Sequence, residues 1–219
     1  MAWKKGSLDN NRYKVIIIVD YGLGNIGSIE NMISHIGLPA QISNDPLKIS
    51  EAKALILPGV GKFDQGITNL EENISFKKAL ITSVLEKKAP ILGICLGMQL
   101  MCKTSEEGNK LGLGWIDATV KKFPPEVGKI PHMGWREVSV IDNNNKIKSN
   151  ELSSDGRFYF VHSYFVECHN TQDVWMKANY GINFVAAFQK ENITGVQFHP
   201  EKSHRYGINF FKNYFNQIL

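Results

Sequence analysis

The sequence predicts an α/β fold: an open, mostly parallel central sheet flanked by helices, with an additional antiparallel or mixed sheet portion. Three observations predict it. Over the first hundred residues, short β-branched or apolar runs alternate with stretches of helical periodicity, the βαβα rhythm of a parallel sheet. Beyond about residue 135 the helical periodicity gives way to strand-like runs joined by turns. Hydrophobic residues make up 43% of a 219-residue chain, enough for one packed core and too much for a disordered chain.

The elements follow in order. Lys14–Val19 (KVIIIV) is a continuous apolar run, as in a strand covered on both faces. Ile26, Ile29, Ile33 and Ile36 then recur at helical spacing, and Gly37-Leu38-Pro39 stops that helix. A second strand is expected to end near Asp45, and Ala52–Pro58 (AKALILP) is a further buried strand. Ser75–Lys88 reads as an amphipathic helix with Phe76, Leu80, Val84 and Leu85 as its apolar stripe. Pro90–Ile94 is a strand, with a helix from about Leu96. In the second half REVSVI, RFYFVHSYFVEC, NFVAAFQ and ITGVQF are strand-like, DNNN and SSDG are turns, and Tyr206–Ile218 is a closing amphipathic helix. Residues 1–13 are polar, without the apolar stretch of a secretory signal, and are expected to be a loose extension to a single domain over residues 14–219.

Composition narrows the function. A formal net charge of +4 is too mild to suggest nucleic-acid or membrane-surface binding. No apolar run approaches the roughly 20 residues of a bilayer span. The three cysteines, Cys95, Cys102 and Cys168, cannot all pair internally, so reduced thiols in the cytoplasm are expected. No Cys/His spacing suggests a metal site.

Two glycine motifs compete for attention. Gly22, Gly24 and Gly27 (DYGLGNIGS) follow a strand in G-x-G-x-x-G spacing, and Asp45 stands near where a ribose-binding acid would be. A dinucleotide site, however, wants its first glycine directly off the strand. Here Asp20 and Tyr21 intervene; one would repel a pyrophosphate and the other would crowd it. No NAD is expected to bind. The second motif, Gly93-x-Cys95-x-Gly97 between a strand and a helix, has the pattern of a nucleophile elbow with cysteine as the nucleophile. The turn is sharp, side chains at the flanking positions would clash, and the thiol is lifted to a helix N-terminus that favours the thiolate. The N–H of Leu96 can then face a developing oxyanion. A lone cysteine beside a glycine-rich turn reads as structural; glycines on both sides at this junction reverse that reading. Cys102 and Cys168 lack the context.

A cysteine nucleophile needs a base and a group to orient it. In VQFHPEKS, His199 ends a strand and Glu201 lies two residues on, so both side chains are predicted to point the same way. His199 is the candidate base and Glu201 its orienter. Of the other histidines, His162 is flanked by an apolar strand, His132 sits in a loop, and His35 and His169 read as surface residues. The loop LPGVG (Leu57–Gly61) closes the end of another strand. There Val60 or Gly61 is the candidate second oxyanion donor, and the flanking glycines let a peptide turn toward or away from the site.

At these motifs the chain resembles the class I (triad) glutamine amidotransferases, most nearly the glutaminase subunits of imidazole glycerol phosphate synthases. DYGLGN, LPGVG, GICLGMQL, SEEG, GLGW, PHMGW, FVHSY and GVQFHPEKS occur in that family's order from Lys14 onward. The resemblance implies a flavodoxin-like amidotransferase fold and a Cys95–His199–Glu201 triad that hydrolyses glutamine. It also implies glutamine-binding positions at Gly61, Gln99, Glu107, His162, Ser163 and Tyr164, and no cofactor. It implies a (β/α)8-barrel synthase partner that receives the ammonia, contacted near Asn25, Trp135, Tyr159 and Lys202. Two positions depart from the usual histidine-pathway pattern: Arg136 stands where Asn follows PHMGW, and Gly27 where Arg is usual. Similar paralogues serve surface-sugar amination, so that acceptor is the alternative. A catalytically silent module of the same fold is a second alternative, against which the intact triad argues.

Overall fold

The computed structural model describes residues 15–141 and 156–219. The extension expected at residues 1–13, Lys14 of the first strand, the DNNN turn and most of SSDG lie outside the described residues. Five parallel strands form half of the main sheet, in the order β2 (Ala40–Ser43), β1 (Ile16–Val19), β3 (Ala54–Leu57), β4 (Ile91–Ile94) and β13 (Ile193–Val196). These strands are apolar without alternation because both faces are covered. Ile17, Val19, Leu55 and Leu57 pack into one core, while Ile16, Ile18, Ala54 and Ile56 pack into the other. Burial of each isoleucine, leucine or valine among them stabilises the fold by about 1.5–3 kcal/mol relative to exposure.

Helices cover both faces. α1 (Ile26–His35) buries Ile29 and Ile33 as its periodicity predicts, and it ends at Gly37, whose φ is +80°. α2 (Pro46–Glu51) starts at Asp45, whose carboxylate accepts from the Leu47 amide at 2.9 Å. α3 (Phe63–Glu72) was not legible as a helix. Its apolar face, Phe63, Ile67 and Leu70, is interrupted by Gly66, which is small because an added Cβ would meet the Leu100 methyls at 2.9 Å. The helix expected over Ser75–Lys88 is α4 (Ile74–Ile81) followed by a π-helical turn, Thr82–Glu86. The wider turn shifts the phase. Phe76, Leu80 and Val84 are buried, but Leu85, expected in the stripe, is 38% exposed. α5 (Leu96–Leu100) is one short helix after β4, and α6 (His204–Ile218) closes the chain, burying Phe210, Phe211, Tyr214 and Phe215.

The second half extends the sheet with mostly antiparallel pairings. β12 (Ile182–Lys190) pairs β13, β10 (Tyr164–Cys168) pairs β12 and β6 (Ala118–Lys122), and short β5 (Thr104–Ser105) lies parallel to β6 at the end. β11 (Val174–Tyr180) pairs β12 and β8 (Ser139–Val140). The run RFYFVHSYFVEC is two strands rather than one. Among the described residues β9 (Arg157–His162) pairs only with β7 (His132–Glu137), in a separate ribbon, and the chain then crosses at Ser163 into β10 of the main sheet. The crossing is held by the Phe123 amide donating to the Ser163 carbonyl at 3.1 Å. Among the described residues no helix is long and apolar enough to cross a membrane.

Candidate active site

Four segments leave the carboxyl ends of adjacent parallel strands and meet: Asp20–Gly24 after β1, Pro58–Gly61 after β3, Cys95 after β4, and Gln197–Glu201 after β13. β4 is central, with β3 on one side and β13 on the other, so the LPGVG loop and His199 flank Cys95. Such a crevice is where open α/β sheets bind ligands. Cys95 sits at φ +53°, ψ −110°, a conformation that L residues avoid. Its neighbours must be glycine. A Cβ at Gly97 would lie 1.9 Å from the Leu57 carbonyl oxygen, and one at Gly93 would lie 2.8 Å from the Met98 nitrogen.

His199 and Glu201 are hydrogen-bonded, Nδ1 to Oε1, at 2.7 Å, with side chains 2% and 1% exposed. Burial by itself lowers the imidazole's pKa; the Cys95 sulfur and then the Glu201 carboxylate outweigh that and raise it well above the ordinary value. His199 Nε2 is buried without an aligned hydrogen-bond partner, although the sulfur is its strongest electrostatic neighbour. A nucleophile–base contact that is not yet aligned is common before substrate binds. Burial pushes the thiols of Cys102 and, to about 12, Cys168 upward, so both stay protonated and inert.

A cleft of about 220 Å³ opens over Cys95. Val60, Gly61 and Leu96 line it on the side of the β3 loop and the α5 start; Gln99, Glu107, His162, Ser163 and Tyr164 are also on its walls, with His199 and Lys202. Glu201 lies behind His199. One Glu107 oxygen accepts from the Phe63 amide at 2.9 Å, and Asp64 accepts from the amides of Asn109 and Lys110 at 3.0 Å each. The loop after β5 and the start of α3 therefore cap one another. The ring of His162 is committed to protein groups: Nδ1 donates to the Tyr164 carbonyl at 2.7 Å, and Nε2 lies 3.1 Å from Nδ1 of His132. It orders the Ser163–Tyr164 wall of the cleft. His132, expected in a loop, is on β7 and wholly buried between the rings of Phe160 and Tyr180. A larger cavity of about 350 Å³ opens at the other end of β4 and β13, beside Lys88 and Asn192, and holds none of these groups.

Tyr21 and Gly24 of DYGLGN serve this site. The Tyr21 hydroxyl donates to the Pro58 carbonyl at 2.6 Å, and a Cβ on Gly24 would lie 2.9 Å from that of Pro58. Burial and then the nearby Cys95 sulfur raise the Tyr21 phenol's pKa, keeping it protonated as a donor. Gly27 has open space around it, unlike a glycine packed close against a strand, and Asp45 is spent on capping α2.

The other expected surface positions lie near the cleft or in segments leading from it. Trp135 on β7 is opposite Tyr159 on β9, and its ring stacks on His204 at 5.6 Å. Asn25 precedes α1 without capping it. Arg136 is accounted for by packing: its guanidinium donates to the Trp135 carbonyl at 2.8 Å and lies over Tyr180, 5.1 Å from the ring centre. Two buried residues escaped sequence reasoning. Ser203 donates to the His199 carbonyl at 2.6 Å and accepts from the Tyr159 amide at 3.0 Å, fixing the turn that carries the histidine. Gln197 reaches the Cys95 sulfur. Both stand in the quoted GVQFHPEKS stretch, yet only their burial distinguishes them.

Residues 17–218 match the family model described as glutamine amidotransferase class-I. The chain is 50% identical over 204 residues to imidazole glycerol phosphate synthase subunit HisH 2 of Methanococcus maripaludis, covering 93% of this chain and all of that one. It is 42% identical over 201 residues to the Pseudomonas aeruginosa protein of the same description, covering 91% of this chain and 98% of the relative. PurLQS from Thermotoga maritima shares the fold with a TM-score of 0.71 at 16% identity, over 94% of this chain and all of that one.

Proposed function

The chain belongs to the class-I glutamine amidotransferase family, and from that premise we propose that it is the glutaminase subunit of an imidazole glycerol phosphate synthase. The observation that carries this is the strained Cys95 elbow facing a buried His199–Glu201 pair across a small cleft. The Cys95 thiolate attacks the side-chain carbonyl carbon of glutamine. The oxyanion is held by the N–H of Leu96 and by that of Val60 or Gly61. Protonated His199 gives its proton to the leaving nitrogen as ammonia departs, leaving a thioester. His199 then takes a proton from water, which attacks the thioester and releases glutamate and the thiolate. Glu201 keeps the ring oriented and supports its charge. Gly61, Gln99, Glu107, His162, Ser163 and Tyr164 form the wall against which glutamine is held.

The ammonia passes to a synthase subunit, which we infer to be a (β/α)8-barrel docking over the cleft near Asn25, Trp135, Tyr159 and Lys202. The pair, a heterodimer in the cytoplasm, would make imidazole glycerol phosphate and AICAR in histidine biosynthesis. The test is reconstitution. Glutamine-dependent imidazole glycerol phosphate formation is measured with a histidine-pathway synthase subunit, and ammonia delivery is measured with a surface-sugar synthase and its barrel. Stimulation by the second set alone would move the acceptor to the surface-sugar pathway.

A further inference from the structure

Gln197 is wholly buried one residue beyond β13, and its side chain lies between two groups of the site. Its Oε1 accepts from Gln99 Nε2 at 2.9 Å. Its Nε2 lies 3.6 Å from the Cys95 sulfur. Gln99 Nε2 also donates to the Tyr164 carbonyl at 3.1 Å. One atom sets the direction of this chain of bonds. A backbone carbonyl can only accept, so Gln99 must turn its NH₂ group to Tyr164. The same nitrogen faces Gln197, which must answer with oxygen, because two opposed NH₂ groups would leave buried donors unsatisfied. Gln197 is then left with its NH₂ group toward Cys95.

We propose that Gln197 is a catalytic residue of this site, whose side-chain amide donates to the Cys95 sulfur and holds it as the thiolate. This rests on the reading of Cys95 as nucleophile. The thiol's own hydrogen has the Val161 carbonyl 4.0 Å away, a group that can receive it but can only repel a thiolate. The ionisable groups around the sulfur are His199 after β13, Tyr21 after β1 and His162 on β9, with Glu107 and Lys202 on the cleft walls. Gln197 is not among them: it is an uncharged amide donor, present at every pH and aimed at the sulfur by Gln99. It holds the sulfur's charge in the resting thiolate, before attack, and again when the thioester breaks and the thiolate is released.

The test follows the pH dependence of Cys95 alkylation by iodoacetamide in the full chain, located by peptide mass spectrometry. Below the midpoint of thiolate formation, Gln197→Met should slow Cys95 labelling about 10-fold, one pH unit of displacement or about 1.4 kcal/mol, which is the scale of a weak hydrogen bond to a charged group. At high pH the two rates should converge. A lowered Tm with an unmoved pH profile would mean packing alone and would overturn the proposal. Should the variant not fold, the Gln197 side-chain amide resonance in the unmodified protein decides. It should titrate with Cys95 and stop doing so in Cys95→Ser; a resonance flat across the Cys95 midpoint overturns the proposal. If Cys95→Ala keeps turning over glutamine, the nucleophile reading has failed instead. An essential Cys95 with an unchanged alkylation profile in Gln197→Met defeats only the present inference.

Discussion

The buried pair His132 and His162 should make this fold acid-labile by an amount that can be worked out. Burial holds His132 down to about 4. Burial and the neighbouring His132 and His199 hold His162 down to about 3, against the Tyr164 carbonyl bond, which raises it. Both are released to about 6.5 on unfolding. Between these values and 6.5 the unfolded chain binds protons that the folded chain does not, so stability rises with pH and is lost as pH falls below 6.5. At pH 5 each histidine is 1.5 pH units below its unfolded value, a cost of about 2 kcal/mol each and roughly 3–4 kcal/mol for the coupled pair. His199 has the opposite sign: its raised pKa contributes stability in full below 6.5, lost only as pH rises through its folded value. Urea unfolding at pH 7.5 and pH 5 reads the sum, and His132→Phe isolates the pair. The variant leaves His162 Nε2 without its donor, a cost of about 1–3 kcal/mol at every pH. Its loss of stability between the two pH values should nevertheless be about 2 kcal/mol smaller than in the unmodified chain. An equal loss would refute the assignment of His132 as a buried neutral ring.

Cys95→Ala should abolish glutamine hydrolysis measured with the synthase partner, whereas Cys102→Ala should retain it. An electrophilic glutamine analogue should label Cys95 alone, as read by peptide mass spectrometry. NAD at micromolar concentration should produce no thermal shift, because Gly24 of DYGLGN packs on the Pro58 loop and Gly22 faces Asn69; a saturable shift would contradict that account. The isolated chain should be a weak glutaminase that its partner stimulates. Gly61 at φ +130° beside a half-exposed Val60 marks a peptide able to reorient, and losing one oxyanion donor lowers kcat about 10²–10³-fold. Steady-state glutaminase rates with and without the partner check this, and full activity in isolation would sink it.

The sequence by itself determined the first four strands of the parallel half of the sheet; β13, read with the strands of the second half, joins them by pairing parallel with β4. Uninterrupted apolar runs such as Ile16–Val19 and Ala54–Leu57 belong to strands buried on both faces, and that is a local property. It also marked the elbow, because a turn this sharp admits only small residues around Cys95. Other features depended on partners distant in the chain. The break of residues 157–168 at Ser163 depends on Phe123 and on the pairing of β7 with β9. The exposure of Leu85 follows from one widened helical turn, and Gly66 hid α3 until Leu100 lay against it. Asp20 and Tyr21 spoke against a phosphate loop at DYGLGN from the sequence alone, but what its glycines face, Pro58 for Gly24 and Asn69 for Gly22, only the fold decided. Gln197 and Ser203 carry no local signal at all. A buried amide or hydroxyl takes its role from the groups it bonds, and only the fold brings Cys95, Gln99 and Tyr159 to them.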